Sequence, residues 1–170
     1  MSGDDVKAQR ADDVQARNEA AGAAVVQFRF AVPDVPVPEG RKLHMKLAGT
    51  SNLRASMQIL NGGGENNLHY HPNMDLIYMV LKGCVEFFGP GDKPLGKLNV
   101  NEGIMLPEYA RYWFRSVGDE EAHLLQMAGY PKGPEASTRV PVEPPKATSG
   151  SVWVGMTDEE LAVRARNIRH

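Results

Sequence analysis

From residue 25 to about residue 127 the chain is a succession of short β-type runs broken by Gly, Pro and Asn, and no other feature limits its fold as strongly. The runs are residues 25–30, 42–47, 53–60, 67–71, 76–81, 84–88, 104–106, 111–117 and 123–127. So many short strands in roughly one hundred residues, with no helical stretch between them, predict an all-β barrel or sandwich. Turn chemistry agrees: residues 89–94 (GPGDKP) read as a loop joining two strands, and residues 117–121 (VGDEE) as a hairpin connection.

Appendages flank this unit. Residues 4–22 carry few large apolar groups, and Val6, Ala11 and Val14 give a thin stripe that predicts a short or frayed helix. After Gly129 come Pro131, Pro134, Pro141, Pro144 and Pro145, which predict an extended arm on a surface, folded back on its own domain or embracing a second subunit. Residues 156–166 open with a capping box, Thr157 with Glu160, and place acids first and arginines last, so a C-terminal helix is expected. The resulting division is a segment 1–24, a barrel 25–130 and an arm with helix 131–170.

A net charge of −2 leaves no electrostatic footprint for nucleic acid or an anionic membrane, so small molecules or proteins are the expected partners. The single cysteine, Cys84, has no intrachain disulfide partner and reads as a small buried hydrophobe. A reducing cytoplasm is the expected location. There is neither a basic-then-apolar leader at the N-terminus nor an apolar run of the ~18 residues a bilayer span needs.

The chemistry concentrates in His69-Tyr70-His71, which follows the glycines 62–64 and precedes Gly83. On a strand, alternate residues share a face, so both imidazoles can enter one cavity while Tyr70 points away. Such a pair suits Fe, Zn, Ni, Cu or Mn. The stretch from Gly63 through His69, His71 and Asp75 to Gly83, then Asn101, Pro107 and the run 109–116, resembles the two motifs of the cupin superfamily. The resemblance covers about residues 50–130 and implies a double-stranded β-helix, or jelly-roll, barrel.

It also implies a ligand set of two histidines, a glutamate and a third histidine, from which this chain departs. The glutamate position holds Leu76 beside Asp75, the second-motif histidine is replaced by Tyr112, and a glycine two residues after Pro107 by Tyr109. Asn101 takes the place of a turn glycine, which its tolerance of left-handed backbone allows. If an irregular turn rotates Asp75 inward, His69, His71 and Asp75 form a facial triad suited to Fe(II) and dioxygen. Tyr112 would then stand by the metal as ligand, hydrogen-bond donor or acid–base group, or else be a barrel-lining aromatic. Asn67 shares the histidines' face and could orient substrate or simply bond a loop edge. Tyr109 and Phe114 could wall a planar substrate or pack a core. Gln126, a polar residue between Leu125 and Met127, needs a partner, either a ligand histidine or a backbone group. His123 reads as a solvated strand end, with replacement of the missing ligand as the alternative. His44 alternates with Lys42 and Lys46 on a polar face, and neither it nor His170 is a ligand candidate.

Three functions compete. One is an Fe(II)-dependent ring-cleavage dioxygenase acting on a small aromatic or oxygenated compound. Another is the accessory small subunit of a two-component hydroquinone dioxygenase, whose texture around residues 66–83, 112–114 and 124–126 this chain resembles, with iron in a larger cupin chain. The third is a metal-dependent lyase or isomerase, or a non-catalytic small-molecule binder. A homo-oligomer, or a hetero-oligomer with that larger subunit, is expected.

Overall fold

The computed structural model describes residues 3–36, 40–62, 65–131, 139–144, 150–159 and 162. Helix α1 (Gly3–Ala23) runs the whole N-terminal segment, and its described side chains are exposed. Ala, Gln, Glu and Arg supply the backbone propensity that keeps it helical. Residues 25–30 form no strand: the six-stranded sheet ends elsewhere, this run pairs with neither of its edges, and Val25, Val26 and Phe28 are exposed. β-type composition without a partner edge leaves the backbone unladdered. Phe30 alone reaches the barrel, edge-on to His123 at 5.3 Å.

The barrel strands are β1 (Lys42–Gly49), β2 (Leu53–Leu60), β3 (His69–Tyr70), β4 (Asp75–Lys82), β5 (Val85–Phe88), β6 (Pro94–Leu98), β7 (Gly103–Leu106), β8 (Trp113–Ser116) and β9 (Ala122–Gly129). A single 3-10 turn, Pro90–Asp92, lies within the expected loop between β5 and β6. Two short strands from the arm, β10 (Val140–Pro141) and β11 (Ser151–Val154), complete the set. One sheet has the order β11-β1-β2-β9-β4-β7, a second β6-β5-β8, and a third pairs β10 with β3. The first two face each other, for Tyr78 of β4 packs against Phe87 at 5.4 Å and Phe114 at 5.7 Å.

Backbone chemistry fixes the turns. Gly83 closes β4 onto β5 at φ +73, where an added Cβ would lie 3.0 Å from Ala122 Cα and from Glu121 O. Only glycine suits both the left-handed backbone and that approach. Asn101 takes a left-handed φ of 70 between β6 and β7, as its place in the motif predicts.

The described part of the proline-rich arm, half-buried or exposed, lies along the surface of its own barrel. Val140–Pro141 pairs antiparallel with His69–Tyr70, and β11 adds parallel to β1 at the sheet edge. Proline is tolerated here because a two-residue edge strand needs few donors. The arm therefore folds back on its own barrel. Asp158, Glu159 and Ala162 are helical and Met156 and Thr157 are not, while Glu160, Leu161 and residues 163–166 of the expected C-terminal helix lie outside the described residues, as do Gly63 and Gly64. Among the described residues no helix is long and apolar enough to cross a membrane.

Candidate functional site

Alternation along β3 places His69 and His71 toward the barrel interior, their rings edge-on at 5.1 Å, while Tyr70 points out and stacks on Tyr109 at 6.0 Å. A backbone bridge brings the second motif alongside: Tyr112 N–H donates to His69 O at 2.9 Å, and His69 N–H to Tyr112 O at 3.1 Å. The rings of His69 and Tyr112 are consequently 4.4 Å apart.

His69 Nδ1–H donates to the carbonyl of Asn67 at 2.8 Å. That bond sets the tautomer and leaves Nε2 with its lone pair. Burial, then the positive charge of Arg139, His71 and Lys42, holds the pKa of His69 well below the usual imidazole range, against the Asn67 bond that raises it. At neutral pH His69 is an uncharged base.

The opposite wall is a polar row on three adjacent strands. Ser56 of β2, Gln126 of β9 and Tyr78 of β4 are direct cross-strand neighbours. Gln126 Nε2 donates to Tyr78 Oη at 3.1 Å, and its Oε1 accepts from Ser56 Oγ and Gln58 Nε2, each at 3.2 Å. Tyr78 Oη lies 3.1 Å from Tyr112 Oη, and His44 Nε2 lies 2.9 Å from Ser56 Oγ. A continuous hydrogen-bonded path thus crosses the barrel from His44 to Tyr112. On its far side His44 stacks on Trp153 of β11 at 3.9 Å.

These groups line a cavity of about 340 Å³. Its walls carry three cations (Lys42, Arg54, Arg139), three imidazoles (His44, His69, His71), two phenols (Tyr78, Tyr112) and the amides Gln58, Asn66, Asn67 and Gln126. Among its described lining residues there is no carboxylate.

Of the residues singled out in the sequence, His69, His71, Tyr112, Asn67 and Gln126 meet in this cavity. Gln126 finds neither a ligand histidine nor a backbone group but the side chains named above. Asn67 donates from Nδ2 to Glu143 O at 3.0 Å and accepts from Arg139 Nη2 at Oδ1. Two expectations fail, and for Phe114 the core alternative holds. Asp75 is exposed and accepts from the Glu108 backbone N–H at 2.9 Å, because β4 is already regular at Asp75 and alternation sends Leu76 and Tyr78 inward instead. Tyr109 is 61 % exposed, turned out by its left-handed φ of 65. Phe114 is fully buried in the core among Phe87, Tyr78 and Tyr112, outside the cavity lining. His123 is no ligand either; it bonds Glu121 at 2.6 Å.

The sequence reading missed Lys42, His44, Arg54, Gln58, Arg139 and Trp153. The period-two polar pattern of Lys42-His44 and Arg54-Ser56-Gln58 marks one face of two strands, but that face is the inner one.

The iron that the resemblance implies does not fit this donor set. His69 and His71 stand without the carboxylate of a facial triad, and no group of three or more His, Cys, Asp or Glu able to hold a metal exists among the described residues. Lys42, Arg54 and Arg139 around the pair add repulsion toward a dication.

No family model matches the chain. "Polyketide synthase CurC" of Streptomyces cyaneus is 33 % identical over 97 residues, a stretch that covers 55 % of this chain and 62 % of CurC. This chain thus spans under two thirds of that relative. Among solved structures, an RmlC-like cupin from Desulfovibrio desulfuricans superposes with a TM-score of 0.53 at 20 % identity, covering 62 % of this chain and 97 % of that one. KdgF from Halomonas sp. gives 0.53 at 18 % identity, covering 64 % and 96 %. A double-stranded β-helix protein from Klebsiella pneumoniae gives 0.54 at 15 % identity, covering 63 % and 93 %. With facing sheets, a His-x-His strand at the cavity and these neighbours, the chain has the double-stranded β-helix fold of the RmlC-like cupins.

Proposed function

We propose that the barrel binds a small oxygenated aromatic or enolisable carbonyl compound and moves a proton on it, with His69 as base and Tyr112 as acid. The observation that carries this reading is the neutral His69, its tautomer set by Asn67, beside the Tyr112 phenol. A general base needs its lone pair in the cavity and a pKa below the working pH, and His69 has both. Tyr112 accepts from, or donates to, Tyr78, whose own oxygen takes the Gln126 N–H, so the phenol is held in place. Positive walls favour the enolate or phenolate that proton removal creates. The relative CurC is named a polyketide synthase, and polyketide chains are rich in enolisable carbonyls, which fits this substrate class.

The test is solvent deuterium exchange at the methyl group of 2,4-dihydroxyacetophenone, followed by NMR. The protein should accelerate it, and His69→Gln should lower that acceleration by about 10²-fold or more. Exchange no faster than in buffer overturns the reading.

A second reading is the accessory subunit of a ring-cleavage dioxygenase whose larger cupin chain carries Fe(II). It is favoured by the incomplete ligand set and by the exposed apolar residues Val25, Val26, Phe28, Val32 and Val35 outside the barrel. Elemental analysis of the chain purified anaerobically without chelator should find iron far below one equivalent. Hydroquinone cleavage that arises only when the larger chain is added supports this reading; near-stoichiometric iron in the isolated chain overturns it.

A further inference from the structure

We infer that the C-terminal arm makes the cavity selective for a ligand bearing an anionic oxygen, with Arg139 as the residue that sets this specificity and Lys42 and Arg54 as its supports. The inference rests on the cavity being a small-molecule site, as proposed above, and names the class of molecule it takes.

Arg139 reaches the cavity because the arm pairs with β3. The next two residues, Val140 and Pro141, lie in register with Tyr70 and His69, and Val142 N–H donates to Leu68 O at 2.9 Å. Asn67 clasps the arm on both sides of this strand, accepting from the Arg139 guanidinium and donating to Glu143 O. An amide oxygen satisfies one guanidinium hydrogen without neutralising its charge. No described residue offers Arg139 a carboxylate, and none lines the cavity.

The other two cations are built in. Lys42 is only 8 % exposed, with Nζ 4.8 Å from the centre of the Phe114 ring. Arg54 lies over Tyr130 at 5.3 Å, and its Nε is buried with no hydrogen-bond partner. Gln58, also on the wall, has a buried Oε1 in the same condition. No carboxylate stands among the described lining residues beside the Arg139 and Arg54 guanidiniums; buried positive charge is costly, and a bound anion offsets that cost. The positive charges of Arg139 and Lys42 both act on His69, so an anion held between them sits beside the proposed base. A guanidinium meets a carboxylate through parallel N–H bonds, which an ammonium cannot reproduce.

The experiment compares 2,4-dihydroxybenzoate with its neutral counterpart 2,4-dihydroxybenzamide by calorimetric titration of the full chain. The carboxylate should bind at least tenfold more tightly than the amide, with a preference that shrinks at high salt. Arg139→Gln should remove most of that discrimination while amide affinity stays, and Arg139→Lys should restore part of it. Trp153, which reports the arm through its stack on His44, should keep its fluorescence in both variants. If arm docking fails in Arg139→Gln, Arg54→Gln provides the second reading and should also weaken the carboxylate selectively. Equal affinities for the two probes, binding of neither, or discrimination intact in both glutamine variants overturns the inference. Binding is read without turnover, and the deuterium-exchange probe is uncharged, so the anion preference and the His69–Tyr112 chemistry can fail separately.

Discussion

The two ends of the barrel interior are lined by the same three strands and differ completely in chemistry. At one end Leu60 of β2, Ala122 of β9 and Val80 of β4 are fully buried, joined by Val85 and Phe87 from the facing sheet. Four residues back along β2, a distance of about 13 Å at strand rise, the row is Ser56, Gln126 and Tyr78, all buried and all hydrogen-bonded. A protein selected only for stability would continue the apolar packing, since satisfied polar groups contribute little net stability and unsatisfied ones cost much. The dry end holds the fold, and the polar end is the one the proposed function uses.

The comparison breaks most severely at the dry end. Phe87→Ala removes a ring that packs on Phe114 at 5.1 Å and Tyr78 at 5.4 Å, and should destabilise the protein by about 3–5 kcal/mol. Denaturant unfolding with an unchanged m-value checks it. A loss below about 1 kcal/mol would mean that the polar end, not this one, carries the stability.

At the polar end Gln126→Leu strips partners from Tyr78, Ser56 and Gln58 and should cost about 1–3 kcal/mol. Adding Gln58→Leu should recover part of the loss, because Gln58 loses the bond from its Nε2 while its Oε1 is already unpartnered, and the second change removes the group left unsatisfied. A Gln126→Leu variant as stable as the parent would show that this row contributes nothing to the fold.

The same contrast sets the pH dependence. The folded pKa of His69 is depressed, so above about pH 6.5 both folded and unfolded states hold the neutral ring. Below that the unfolded chain takes up the proton first, and stability falls with pH by up to about 1.4 kcal/mol per unit until the native ring also protonates. His69→Gln should flatten this slope in unfolding curves recorded between pH 7 and 5. Phe87 packs on the rings of Tyr78 and Phe114 and carries no titratable group, so Phe87→Ala should leave the slope as it is.

The division between the ends explains what could be read in the sequence. Residues 53–60 match β2 residue for residue, and residues 76–81, 104–106 and 123–127 fall within β4, β7 and β9, because two-residue alternation and Gly or Asn turns are local signals. Alternation assigns residues to two faces without saying which is inside. Lys42 and His44 therefore read only as one polar face, which the polar cavity turns inward. The arm was illegible for another reason: Pro141 forbids a sheet interior but not an edge pair, and Arg139 acquires its place only through a partner seventy residues earlier. β6, with Pro94 and Gly96 among its five residues, lacks the composition of a strand and owes its existence to the neighbour it pairs with, whereas β11, Ser-Val-Trp-Val, has that composition but stands beyond the prolines and finds its edge only at β1. Asp75 shows that the regular pattern, not the hoped-for irregularity, decided which way a side chain faced.

The smallest expected effect lies at the rim between the two motifs. Tyr109 holds a left-handed φ of 65, costly for a residue with a Cβ, while its N–H donates to His71 O at 2.8 Å and its ring stacks on Tyr70. Tyr109→Gly relieves the backbone but adds unfolded-state entropy and loses the stack, so its stability should stay within about 1 kcal/mol of the parent. Tyr109→Ala loses the same stack and keeps the strain, and should fall about 1 kcal/mol below the glycine variant. Measured by thermal unfolding, that gap isolates the backbone strain, since both variants remove the ring. If alanine equals glycine here, the left-handed conformation is not what distinguishes this position, and the His71 carbonyl is held by the ring stack instead.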